Sequence, residues 1–268
     1  MGWLDPTLHN APPEQAARLR VAMSAALAAG DTLLQCFERG VTARDKADGT
    51  PVTDADLEAE TIIRNAIFHA FPDDGQLGEE HGEHTGTNDW RWVIDPIDGT
   101  VSFMHGVPVF GTLIGIEHKG TPVAGVMHYP ALHETAWATT SGAWWRRGDG
   151  SPQSAHVSTT TELKDATVCA TSLEYFDDAA PLLCVNDAVK RTRGWSDCHA
   201  SLLLVTGRID AVLEPQLKPW DICAVIAVLH AAGGRFSDWS GKHGNTSSTP
   251  CGLSSNGHLH QALLECLG

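Results

Sequence analysis

The stretch Trp92-Val93-Ile94-Asp95-Pro96-Ile97-Asp98-Gly99-Thr100 decides how the rest of the chain reads. Trp92, Val93 and Ile94 make a short apolar run rich in β-branched residues, the signature of a buried strand end. Two carboxylates follow, three apart, with a proline between them. Pro96 fixes its φ near about −65° and keeps Asp95 extended, which predicts that the strand stops there. Asp98-Gly99-Thr100 predicts a turn opening into a helix, with the N–H groups of Gly99 and Thr100 forming an anion site. Carboxylates beside an anion site need a cation between them. A hard divalent ion such as Mg²⁺ takes carboxylate oxygens on one side and phosphate oxygens on the other. The stretch reads as a metal-assisted phosphoryl site.

A bare D-x-x-D is most often two solvated aspartates on a strand-to-turn connection. The apolar lead-in and the partners described below favour the functional reading here. Haloacid-dehalogenase-type phosphatases carry D-x-D-G-T, with aspartates two apart and the first as nucleophile. In this chain the spacing is three and position 96 is proline, which predicts metal-activated water and no phosphoenzyme.

Composition narrows the class. With 268 residues, 42% of them hydrophobic, the chain can bury a large core as one domain or two closely packed halves. Eighteen basic against 33 acidic residues give a formal charge of −15, which argues against nucleic-acid and anionic-membrane partners. Seven cysteines without a C-x-x-C pattern predict reduced thiols in a cytoplasmic protein. No signal-peptide pattern opens the chain, Pro6 spoils a myristoylation site, and no apolar run is long enough to span a membrane.

Periodicity predicts a long amphipathic helix from Pro12-Pro13 to Gly40, a polar loop over 41–52 with Lys46, Asp48 and Gly49, and a second helix from Thr53-Asp54 to Pro72. On that helix Asp54 is either a cap or a site residue. Gln76-Leu77 reads as a strand end before Gly78-Glu79-Glu80, and 81–89 as a loop. His81 and His84 lack a third soft ligand for zinc. Strands are predicted at 109–117, 123–129, 134–138 and 143–146, an antiparallel meander. The polar run Arg146–Gln153 divides an N-terminal half, 1–150, from a C-terminal half, 151–268. The second half alternates: strands at 166–171, 192–195, 209–213, 235–237 and 252–254, and helices at 177–191, 197–206, from Pro219 to Gly233-Gly234, and at 259–267. Of the nine tryptophans only Trp195 is a candidate for function.

Pro219-Trp220-Asp221 places a carboxylate in the first turn of an apolar helix, where the helix dipole alone would favour it. Together with Gly78-Glu79-Glu80, Asp95-Pro96-Ile97-Asp98-Gly99-Thr100 and the later Ala231-Ala232-Gly233-Gly234, it forms an ordered set. On these motifs the chain resembles the inositol monophosphatase family of Mg²⁺-dependent, lithium-inhibited phosphatases, from Thr53-Asp54 to the last helix. The resemblance implies a layered α-β-α-β-α sandwich, shared with fructose-1,6-bisphosphatase, and a homodimer. It implies two or three Mg²⁺ held by Glu79, Asp95, Asp98, Asp221 and the carbonyl of Ile97. The phosphate would rest on the backbone of Gly99 and Thr100. Thr100, paired with Asp54 and helped by Glu79, would orient and activate the attacking water.

Gly111-Thr112-Leu113-Ile114, Ser196-Asp197-Cys198 and Glu214-Pro215 look like the histidinol-phosphate phosphatases of that family. In the inositol enzymes the position of Asp197 is generally small and neutral. Two acids at the pocket rim suit the ammonium and imidazole of histidinol phosphate better than a neutral polyol. Arg193 is expected to neutralise one of them or to reach the phosphate. Val101 departs from the Lys, Arg or Thr often found after the motif. The expected activity is hydrolysis of L-histidinol phosphate in histidine biosynthesis, with inositol monophosphate or another small phosphomonoester as the alternative. A regulatory role in nucleic-acid complexes conflicts with the charge, and a dead-site binding protein with the intact carboxylate set.

Overall fold

The structure is a computed structural model that describes the chain except residues 1, 3, 41–42, 46–50, 196, 243–245 and 247–249. Lys46, Asp48, Gly49 and Ser196 therefore lie outside the described residues. Helix α1 (Pro13–Arg39) has Pro13 in its first turn and stops at Gly40, whose φ of +78° no longer continues a helix. Two short strands, β1 (Ala43–Asp45) and β2 (Pro51–Thr53), pair antiparallel where the polar pattern predicted only a loop. Helix α2 (Asp54–Ala70) follows. Its N-cap is Thr53 and not Asp54: the Thr53 hydroxyl accepts from the Ala55 N–H, and Asp56 reaches back to the Thr53 N–H.

The first sheet contains β3 (Gly75–Gly78), β4 (Gly82–His84), β5 (Trp90–Asp98), β6 (Gly111–His118), β7 (Thr121–Tyr129), β8 (Glu134–Thr139), β9 (Gly142–Arg147) and β10 (Gln153–Ser154). Its order is β10-β9-β8-β7-β6-β5-β3-β4, antiparallel except where β3 runs beside β5. The predicted meander is β6 to β9. Strand β4 occupies part of the expected 81–89 loop. Strand β5 also corrects the sequence reading, because it does not stop at Pro96. The ladder runs Asp95↔Leu113, then shifts register and resumes at Asp98↔Gly111. A bulge tolerates a residue with no N–H to donate, and the Pro96 carbonyl takes the Thr112 hydroxyl at 2.9 Å in place of a ladder partner. Helix α3 (Thr100–Met104) follows at once.

The second sheet is mixed, with order β12-β11-β13-β15-β14: β11 (Thr167–Ala170), β12 (Arg191–Arg193), β13 (Ala211–Glu214), β14 (Arg235–Ser237) and β15 (Gly252–Ser255). Its helices are α4 (Ala180–Ala188), α5 (Asp197–Val205), α6 (Pro219–Ala231) and α7 (His260–Leu267). Helix α4 is shorter than the pattern predicted: with Pro181 in its first turn it begins only at Ala180.

Three apolar clusters separate five layers. The first joins α1 and α2 to one face of the large sheet through Leu19, Met23, Ile63, Trp92 and Ile94. The second fills the space between the sheets around α5 and α6, and the third covers the far face of the small sheet with α4 and α7. The result is the expected α-β-α-β-α sandwich. The division expected near residue 150 falls inside the large sheet, since β10 pairs back onto β9, and α6 from the second half packs on β5, β6, β7 and β8.

Candidate active site

Strand β5 alternates sides until its bulge. Trp92 and Ile94 pack toward α1 and α2, so the residues between them face the α5–α6 layer. Asp95, 2% exposed, therefore arrives at the end of a buried strand on the side from which α6 comes. Gly99 then adopts φ +87°, and a Cβ there would lie 3.3 Å from the Val109 carbonyl oxygen and from Asp197 Oδ2, so glycine alone fits the turn.

The other acids come from separate elements. Glu79 follows β3, its N–H donating to the Ile94 carbonyl at 3.2 Å, which continues the β3–β5 pairing by one residue. Asp221 sits in the first turn of α6 after Pro219, and one of its oxygens accepts the Lys218 N–H at 2.7 Å. Asp98 accepts the Cys198 N–H, at the start of α5, at 2.8 Å, while the buried Tyr129 hydroxyl holds the Cys198 carbonyl at 2.6 Å. Asp197, one residue earlier, has φ +54°, a left-handed conformation that aspartate tolerates better than most residues. Its Oδ2 accepts the Ser102 hydroxyl at 3.3 Å.

These residues line one cleft of about 270 Å³: Glu79, Asp95, Ile97, Asp98, Gly99, Thr100 and Val101 from the first half; Asp197, Glu214 and Asp221 from the second. One oxygen from each of Asp95, Asp98 and Asp221 lies within 4.8 Å of the others. Burial pushes the carboxyls of Asp95 and Asp98 well above the usual range, and their neighbours push further: Glu79, Asp98, Asp221 and Asp56 on Asp95; Asp197, Asp221 and Glu214 on Asp98. The Cys198 amide opposes this at Asp98. Asp221 is raised to about 7 and Glu214 to about 8, in each case first by burial. Asp95 Oδ1 is buried with no hydrogen-bond partner among the described residues. Converging carboxylates with an unsatisfied buried oxygen form a hard, all-oxygen donor set, which fits a metal ion.

Not every expected site residue is brought here. Asp54 is exposed and does not line the cleft. Two residues on, Asp56 is 1% exposed, and its charge bears on Asp95. Asp56 is thus the α2 carboxylate turned toward the cluster. The Thr100 hydroxyl donates to the Ile97 carbonyl at 3.0 Å. Arg193 lies exposed on β12, its guanidinium donating to the Thr192 carbonyl at 2.8 Å, and Trp195 is 47% exposed; neither lines the cleft. Among the described residues the cation that does is Lys218, with Thr171, Tyr175, Gln216 and Leu217 as further lining residues that the motifs did not reveal, and Trp220, quoted in its motif without a role, lines it too. Lys218 and Trp220 flank the Pro219 helix start, and that adjacency was the available signal. His81 lies 3.4 Å from Glu60, an ordinary polar contact.

A profile of the inositol monophosphatase family matches residues 14–267. The chain belongs to this family. A histidinol-phosphatase of Chlorobaculum parvum is 38% identical over 255 residues, 93% of this chain and 96% of that protein. A histidinol-phosphatase of Mycobacterium tuberculosis is 36% identical over 231 residues, covering 83% and 86%. Among solved structures, an IMPase from Thermotoga maritima matches with a TM-score of 0.84 at 29% identity over 93% of this chain and 96% of that one. The chain is a phosphatase of the inositol monophosphatase family, acting on small phosphorylated substrates. No helix among the described residues is long and apolar enough to cross a membrane.

Proposed function

We propose that this phosphatase hydrolyses L-histidinol phosphate to L-histidinol and phosphate, in an Mg²⁺-dependent reaction. The observation that carries the substrate is the pair Asp197 and Glu214, which line the cleft beside the carboxylate cluster yet lie outside the set of three that could share an ion. A partly buried carboxyl pushed to about 8 recovers its charge when a cation binds beside it. Histidinol phosphate brings such a cation, and a neutral polyol does not. The names of two relatives at 36% and 38% identity agree. A cleft of about 270 Å³ suits a small phosphomonoester, being close to the lower end, about 300 Å³, of ordinary ligand pockets.

In this reading Glu79, Asp95, Asp98, Asp221 and the Ile97 carbonyl hold two or three Mg²⁺, which when bound neutralise phosphate charge and acidify the attacking water. The backbone N–H groups of Gly99 and Thr100 orient the phosphate. Asp197 and Glu214 accept hydrogen bonds from the ammonium and imidazole. The Thr100 hydroxyl and an α2 carboxylate, Asp56 in preference to Asp54, orient the water in line with the leaving oxygen. The negative charge of the whole chain speaks against a nucleic-acid role. The alternative substrate is inositol monophosphate, as the name of the Thermotoga maritima structure suggests. Phosphate release from histidinol phosphate, inositol 1-phosphate and fructose 1,6-bisphosphate at equal Mg²⁺ tests the choice. The highest kcat/KM is expected for histidinol phosphate; equal or greater turnover of inositol 1-phosphate would overturn it.

A further inference from the structure

The turn that carries Glu79 is built around a buried acid that does not line the cleft. Glu60, on α2, is 0% exposed. Its Oε2 accepts the Glu80 N–H at 2.7 Å, and its Oε1 accepts the His81 N–H at 3.2 Å. Arg64, one helical turn further, lies 3.2 Å from the same Oε1 and donates to the Gly82 carbonyl at 3.0 Å. Gly78 makes the approach possible, because a Cβ there would stand 1.9 Å from Glu60 Oε1. On its other side the turn is tied to β5 through the Glu79 N–H and the Ile94 carbonyl. Glu79 thus sits between two anchors, a strand ladder before it and a carboxylate clamp after it.

A tight turn at a sheet edge needs no buried anion to close it, since water or a hydroxyl would satisfy two amides. A fully desolvated carboxylate is costly unless its oxygens are filled, and here they are filled by the turn. The chain spends that arrangement on the segment whose side chain enters the cleft and raises the carboxyls of Asp95 and Asp221. Asp56 and Glu60 are four apart on α2, hence on one face of it. Both are buried, one bearing on Asp95 by its charge and the other on the Glu79 turn by its hydrogen bonds.

We propose that Glu60 is a positioning residue for Glu79: it fixes the Gly78–His81 turn so that the Glu79 carboxylate is preset for a divalent cation. The inference rests on the metal-dependent reading above. Glu60→Gln tests it, because an amide of the same shape offers one acceptor where two N–H groups need two, so either orientation sets an NH₂ against a donor. The assay titrates Mg²⁺ into chelator-stripped protein by calorimetry, with the melting temperature of the stripped protein measured in parallel. Loss of an outer partner of a metal ligand typically weakens metal binding by about tenfold to hundredfold. That weakening is expected for Glu60→Gln, with turnover restored as Mg²⁺ is raised. A variant that melts lower but binds Mg²⁺ within about twofold of the wild type would make Glu60 a purely structural acid and overturn the proposal. Should Glu60→Gln fail to fold, Arg64→Gln keeps the carboxylate and removes one partner. A loss of about tenfold in Mg²⁺ affinity is expected there, at the lower edge of such partner effects, and unchanged affinity would overturn the proposal. Wild-type protein that binds no Mg²⁺ would defeat the metal reading itself, whereas wild-type binding with unaltered variants defeats this inference alone.

Discussion

Each sheet ends one strand in acid at the same cleft, β5 in Asp95 and Asp98, β13 in Glu214. Burial raises all three carboxyls, yet their company differs. The β5 pair shares a space less than 5 Å across with Asp221, and Asp95 keeps a buried oxygen with no hydrogen-bond partner among the described residues. Nothing larger than a compact ion fits among them. Glu214 lines the same cleft with Asp221 and Asp197 as its charged neighbours and stands outside the three acids that could share one ion. The same penalty therefore has two remedies. In the proposed reading, one strand end takes small multivalent ions, and the other takes its compensating charge from the substrate.

The largest test of this contrast removes a member of the compact cluster. Asp95→Asn and Asp221→Asn should each lower kcat by on the order of a hundredfold or more at saturating Mg²⁺, the scale of a lost electrostatic transition-state contribution. Near-normal turnover in either would place the chemistry elsewhere. Next come Asp197→Ala and Glu214→Ala. A charge-assisted hydrogen bond is worth about 1.5–3 kcal/mol, so kcat/KM on histidinol phosphate should fall roughly tenfold to hundredfold while an aryl phosphate is nearly unaffected. Equal losses on both substrates would erase the distinction between the two strand ends.

A smaller effect is expected at α2. Asp56→Asn should lower kcat by about tenfold, the lower end of the same range, and Asp54→Asn should leave it close to wild type. The reverse result would return the role to the exposed residue.

The smallest effect is on stability. A carboxyl whose pKa is higher in the folded chain holds protons that the unfolded chain has released, so stability falls as pH rises through that interval. In chelator, the melting temperature should therefore drop between about pH 4, the ordinary carboxyl value, and about 7 to 8, where Asp221 and Glu214 titrate. Added Mg²⁺ should flatten the slope by binding the charged form. A pH-independent melting curve in chelator would mean that the acids are not confined as the structure has them.

What the sequence made legible follows from locality. The β5 stretch carries strand, turn and candidate ligands within nine residues, though its bulge at Pro96 went unread, and Pro219-Trp220-Asp221 carries helix start and candidate ligand within three. The individual helices and strands could be read because each kept its own period, whereas their stacking into five layers came only with the family resemblance. Asp56 was hidden because two aspartates stand two apart at a helix start, and the choice depended on Thr53 taking the cap. Glu60 looked like half of a surface pair with Arg64; only the fold puts Gly78 against it. Arg193 is four residues from Asp197 along the chain, but it lies exposed at the end of β12 with its guanidinium on the Thr192 carbonyl, and it does not line the cleft. Residues whose meaning depends on a distant partner leave no local trace.

The bond from the Cys198 amide to Asp98 joins positions 100 apart, and it sets a timetable for a chain made from its N-terminus. When β10 has left the ribosome, Glu79, Asp95 and Asp98 already exist on a sheet that is complete in hydrogen bonds. Asp98 has yet to receive its amide from α5, and α6 with Asp221 has not been made. The inner face of that nascent sheet, which α6 will cover, is still bare. Non-local closures of this length come late in folding, so the helix that completes the donor set is also the one that seals the core. A truncated product should be insoluble and inactive together, never a soluble half able to scavenge ions.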